Sequence, residues 1–171
     1  VFRTTDGGTT WIQMTDGMDA SILAGLAVSP TGDVFAGTSG GGVWRSNDGG
    51  IHWSQVFSAP RVLALTINSA GAIFAPSGLD GVFRSLDNGA TWEAVNNGIS
   101  GKNIRSMAVN VDGVLFAGAL NDGIYRSRDN GASWERVFTG MPAPGNQVVI
   151  SPNSIAVKGS NIVIVGTDTA F

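Results

Sequence analysis

The chain of 171 residues has no cysteine, one histidine, one tyrosine and few charges, 13 % in all. Without cysteine there is no disulfide framework, no thiol nucleophile and no zinc ribbon. His52 is the sole histidine, so no His–His metal pair and no HExxH motif can be built, and no Ser-His-Asp set can be assembled around it. No metal site and no cofactor are expected. A net charge of −3 gives no electrostatic footprint for nucleic acid or an anionic membrane. No apolar run approaches the roughly 20 residues of a membrane helix, so membrane insertion is not expected. No stretch sustains a helical period. The 25 glycines follow no three-residue rule, which excludes collagen, and 43 % hydrophobic residues suffice for a core. What is left is an all-β chain punctuated by glycine.

One octapeptide occurs four times: Thr4 to Trp11, Ser46 to Trp53, Ser85 to Trp92 and Ser127 to Trp134. The four tryptophans are 42, 39 and 42 residues apart. Before each copy stands an apolar–aromatic–Arg triplet: Val1-Phe2-Arg3, Val43-Trp44-Arg45, Val82-Phe83-Arg84 and Ile124-Tyr125-Arg126. Further upstream lie Phe35-Ala36-Gly37-Thr38, Phe74-Ala75-Pro76-Ser77 and Phe116-Ala117-Gly118-Ala119, each preceded by another apolar run and a turn. Each repeat therefore holds four short extended runs between Gly, Asn, Asp or Pro turns. Four strands in about 41 residues, repeated, are the signature of a β-propeller blade. Blades pack on both faces, which explains runs of Val, Ile, Leu, Ala and Phe without strict alternation.

The octapeptide resembles the Asp-box, or BNR repeat, with its pattern Ser/Thr-x-Asp-x-Gly-x-Thr/Ser-Trp. The second copy departs from it only at His52. The resemblance implies a propeller of the kind found in sialidases, xyloglucan-cutting endoglucanases, sortilin-type receptors, photosystem II assembly factors and secreted bacterial repeat proteins. It also implies that the box is structural and lies on the rim away from the ligand. Asp6, Asp48, Asp87 and Asp129 would accept backbone N–H bonds in a tight turn. Gly8, Gly50, Gly89 and Gly131 would supply positive φ. Thr10, Thr91 and Ser133, with His52 standing in for the hydroxyl, would close the turn, and Trp11, Trp53, Trp92 and Trp134 would cover it.

Sialidase chemistry needs an arginine cluster, a Tyr–Glu nucleophile pair and an acid–base Asp. Arg3, Arg45, Arg84 and Arg126 recur at one repeat position, unlike the non-equivalent arginines of that family, and Tyr125 is in phase with Phe2, Trp44 and Phe83. A glycosidase needs two carboxylates roughly 5–5.5 Å or 6.5–9.5 Å apart. The only glutamates, Glu93 and Glu135, follow a box tryptophan on the outermost strand. Asp16, Asp19, Asp80, Asp122 and Asp168 fall on loops, and no pair stands out, so no catalytic residue is assigned. The glycine run from Gly37 to Gly42 lacks a P-loop lysine. Ligand contacts are expected from loops 14–21, 57–61, 96–104 and 139–150, which lead into each innermost strand, and from 39–41, 78–80, 119–122 and 167–170. Arg61, Asn97, Lys102, Arg105, Asn121 and Asp122 are the polar candidates there. The expected function is a non-catalytic binding or scaffolding propeller of an exported protein, extracellular or periplasmic, recognising protein or glycan. A glycoside hydrolase fragment is the alternative.

The blades divide near residues 1–15 (a second half), 16–57, 58–95, 96–138 and 139–171 (a first half). Joining Gly166 to Phe171 onto Val1-Phe2-Arg3 reproduces Gly37 to Arg45 without a gap. The chain thus holds four blade equivalents, one of them split. Its halves need partners, because unpaired strand edges invite aggregation. A segment of a larger ring comes first, a self-closed ring second and a ring of two chains third.

Overall fold

The computed structural model describes residues 1–19, 22–137 and 152–167. All regular structure in it is β. The strands are β1 (Phe2–Arg3), β2 (Ile12–Gln13), β3 (Ile22–Val28), β4 (Val34–Ser39), β5 (Gly42–Ser46), β6 (Ser54–Phe57), β7 (Thr66–Ile67) and β8 (Ile73–Ser77). They continue as β9 (Gly81–Ser85), β10 (Glu93–Ala94), β11 (Ile104–Val109), β12 (Leu115–Ala119), β13 (Gly123–Ser127), β14 (Glu135–Arg136), β15 (Pro152–Lys158) and β16 (Ile162–Thr167).

Three four-stranded antiparallel meanders result: β3 to β6, β7 to β10 and β11 to β14, the first, second and third blades. Two-stranded sheets flank them, an N-terminal half-blade of β1 and β2 and a C-terminal one of β15 and β16. The register is the same in each repeat: Phe35 faces Arg45, Phe74 faces Arg84 and Phe116 faces Arg126. First strands of successive blades lie together, β3 on β7, β7 on β11 and β11 on β15, so they are innermost. The second blade is the least regular. Pro76, which has no N–H to give, stands where Gly37 and Gly118 continue the ladder, and β7 shrinks to two residues.

The turns follow from short polar side chains. The side-chain Oδ1 atoms of Asn68 and Asn110 accept the N–H of residues two and four further on, and Ser29 Oγ accepts that of Asp33. Each such bond does inside the turn what a ladder bond does in the strands.

The core is the stack of faces between blades. Phe35, Val43, Val62 and Ile73 fill the first–second junction. Phe74, Val82, Val95, Ile104, Leu115, Tyr125 and Trp134 fill the second–third junction. Each such side chain contributes about 1.5–3 kcal/mol by leaving water. The up-down alternation then sorts the loops. Turns between first and second strands share one rim with the octapeptides, and the remaining loops share the other.

Candidate functional site

On the first rim the octapeptides build one turn four times. In each, the opening Ser or Thr hydroxyl donates to the Asp carboxylate and accepts the N–H of the fifth-position glycine, as Ser85 does with Asp87 and Gly89 at 2.9 and 2.8 Å. The Asp then accepts the N–H and the hydroxyl of the seventh residue, Thr10, Thr91 or Ser133. At His52 the ring Nδ1 takes the hydroxyl's place, 2.7 Å from the Asp48 carboxylate. Trp11, Trp53 and Trp92 donate from Nε1 to the octapeptide's own glycine carbonyl. Trp134 instead reaches across the junction to the Val95 carbonyl at 2.8 Å. The fourth octapeptide position also has positive φ: Gly7 and Gly49 there are joined by Asn88 and Asn130, at 57° and 58°. The alternation of Gly and Asn at that place was a legible signal for it, since Asn tolerates this region better than other side chains.

These bonds hold the carboxylates ionised. Hydrogen bonds from Thr91 and from Ser133 lower Asp87 and Asp129 to about 2. Asp6 and Asp48 also lie well below the ordinary carboxylate range, through Thr10 and His52. His52 is pushed up, first by its bond to Asp48. The folded-state value lies below the unfolded 3.8, so the stabilisation is present above about pH 4 and lost as pH falls toward 2. The melting temperature is therefore expected to fall on acidification through that window, and to decline again as pH rises through the raised His52 value. Thermal melts at stepped pH check this, with Asp87→Asn flattening the slope.

Of the arginines in phase on this rim, Arg84 ties two blades together, and Arg45 and Arg126 make ion pairs within their own blades. Arg84 pairs with Glu93 at 2.6 Å and donates to the Asn130 carbonyl of the next octapeptide. Arg45 pairs with Asp33, and Arg126 with Glu135. Both glutamates are thus engaged on outer strands.

The opposite rim carries the polar candidates. Asp122 is gathered there with residues far away in sequence. Tyr125 Oη donates to its carboxylate, Ser100 Oγ donates to it at 3.0 Å, and Arg136 lies 3.5 Å away. Burial opposes the charge on Asp122, yet the bonds from Tyr125 and Ser100 hold it below its ordinary value. The Tyr125 ring is buried in the second–third junction while its hydroxyl also accepts the Ser100 N–H at 3.3 Å. The network pins the loop before β11 to the turn after β12. Asn121, at φ 62°, occupies that turn. Asn97 gives its carbonyl to the Trp134 N–H at 2.8 Å, and Lys102 gives its own to the Gly81 N–H at 3.1 Å. Both side chains are exposed. Arg61 is exposed beside Gly78 of the neighbouring turn. Arg105 occupies the bulge of β11, half-buried, with a buried Nε that has no hydrogen-bond partner. Among the described residues Arg61, Lys102 and Arg105 form no ion pair. The loops 139–150 and 168–170, and Asp168 with them, lie outside the described residues.

No protein-family model and no curated protein matches the chain. Solved structures do. YCF48 bound to D1 peptide aligns with TM-score 0.70 at 20 % identity, over 98 % of this chain and 54 % of that one. PorZ, a surface component of the type-IX secretion system of Porphyromonas gingivalis, gives 0.70 at 17 %, over 97 % and 28 %. The GH74 xyloglucanase of Xanthomonas campestris gives 0.64 at 20 %, over 77 % and 24 %. The fold is that of a β-propeller. The chain spans about a quarter to a half of these propellers' length, and the three complete blades and two half-blades among its described residues make a partial ring.

Proposed function

We propose that this propeller is a non-catalytic binding module of an exported protein, and that it takes a protein or glycan bearing carboxylates at the loop rim. The supporting observation is the division of charge on that rim. Asp122 is neutralised within the Tyr125, Ser100 and Arg136 network, whereas Arg61, Lys102 and Arg105 have no anion partner among the described residues. Guanidinium and ammonium groups so placed favour carboxylate ligands, Arg through paired N–H donors. The octapeptides are read as Asp-box turns, which support the rim from the far side without touching ligand. The likeness to YCF48, solved with a peptide, supports a peptide ligand, and the likeness to PorZ, a surface component, supports export.

The likeness to a GH74 enzyme favours the second reading, a glycoside hydrolase whose carboxylates lie partly beyond these residues. Arrays of acidic peptides and of sialylated and uronic-acid glycans separate the two readings, together with assays on aryl sialosides and xyloglucan oligosaccharides. Binding is expected without turnover. Removing one charge-assisted contact, as in Arg61→Ala or Lys102→Ala, should weaken it about tenfold, equal to about 1.4 kcal/mol. Turnover abolished by Asp122→Asn or Asp168→Asn would establish the enzyme instead.

A further inference from the structure

Successive blades mesh through one repeated contact on the octapeptide rim. The octapeptide glycine of one blade rests on the second-strand phenylalanine of the blade before it. A Cβ at Gly89 would lie 3.0 Å from the Phe35 ring, and one at Gly131 would lie 3.2 Å from the Phe74 ring. Among the described residues, two octapeptides lack this partner. Cβ atoms built at Gly8 and Gly50 meet only the tryptophan of their own turn within 4 Å. Two second-strand residues lack the octapeptide: Phe116, and Ile164 at the same register position, which is 62 % exposed. Phe116 opens into a cleft of about 350 Å³ bounded by Asp112, Val114, Arg126, Ser160 and Val163. Arg126 stands there as Arg84 stands beside the Asn130 carbonyl, with Glu135 held in the same way as Glu93.

The innermost strands repeat the pattern. Leu65 packs on Gly37 of the preceding blade, and Met107 is buried at the same position of the third. Leu26 and Val28 of β3 have no preceding first strand among the described residues and are 50 % and 64 % exposed. Two neighbours are wanted: a strand–octapeptide–strand hairpin beside β16, and a first-and-second-strand hairpin beside β1. The chain carries both, in β1 and β2 with the Trp11 octapeptide and in β15 and β16, yet among the described residues β1 pairs only with β2 and β16 only with β15.

We propose that a second copy of this chain supplies them. β1 of each copy lies antiparallel along β16 of the other, Gly8 seats on the partner's Phe116, Gly50 meets the partner's Ile164, and two chains close eight blades. The contact is the same on both copies, as a two-fold dimer requires, and it covers both unpaired edges at once. It does not depend on what the loop rim binds.

By the Phe116–Arg126 register, Ile164 would face Arg3 of the partner, and the native chain has no cysteine. Sedimentation of the full chain is expected to give twice its 17.6 kDa. A tagged Arg3→Cys chain mixed with an untagged Ile164→Cys chain should yield, on oxidation, a disulfide-linked heterodimer. Thermal melts of the reduced variants verify folding, and the mass of the unaltered chain stands whether or not they fold. A monomeric mass, assembly beyond two copies, or a disulfide formed inside one Arg3→Cys/Ile164→Cys chain would each overturn the proposal.

Discussion

Trp134→Ala is expected to destabilise the protein by about 3–5 kcal/mol, the range for deleting a buried large aromatic side chain. Trp134 is 5 % exposed and packs in the second–third junction with Phe74, Val95 and Ile104. Its Nε1 bonds to the Val95 carbonyl of the other blade, so the deletion opens a cavity and also leaves a buried acceptor unpaired. Against a total stability of about 5–15 kcal/mol for an ordinary domain, that loss is severe. Trp134→Phe divides the two effects: it keeps most of the apolar surface and removes the donor, so it should cost about 1–3 kcal/mol. Urea unfolding of both variants checks the ordering, with an unchanged m-value showing that the same surface is exposed.

The part of this junction that sequence revealed is the part repeated in it. Asp, Gly and Trp recur at fixed offsets because each blade needs the same turn in the same place. The periodic tryptophans at 53, 92 and 134 therefore located three complete blades, their octapeptides and their strand order. Contacts between non-equivalent positions left no such trace. Ser100 reads as any loop serine, and only the fold carries it across 22 residues to Asp122 and 25 to Tyr125. Tyr125 looked like one of four packing aromatics, and its ring is buried; its hydroxyl adds a network that Phe2, Trp44 and Phe83 cannot form. Trp134 shares its octapeptide phase with Trp53, yet a different acceptor lies within reach of its N–H. Local turn chemistry is written in a few adjacent residues, whereas the rim is assembled from loops whose sequences carry no common rule.

The same junction fixes the backbone as tightly as the side chains. The Trp134 N–H donates to the Asn97 carbonyl at 2.8 Å, and the next residue, Gly98, passes over Trp134 at φ +89°. A Cβ at Gly98 would lie 2.0 Å from the Trp134 carbonyl oxygen, a backbone atom rather than the end of a flexible side chain. The first blade uses the same device, with Gly17 over Trp53 and the Trp53 N–H bonded to the Asp16 carbonyl. Gly98→Ala must therefore shift the loop that crosses from β10 into the third blade, or give up the bond. Gly32 supplies the control, because its φ is also +89° but nothing lies within 4 Å of the position a Cβ would take. Gly32→Ala is expected to cost only the left-handed backbone strain, about 1–2 kcal/mol. Gly98→Ala bears that strain and the collision, and should lose at least about 3 kcal/mol, a value found for few substitutions outside cores and special backbone sites. Equal melting temperatures for the two variants would mean that the junction yields to the added methyl, and that the packed side chains alone hold the blades in register.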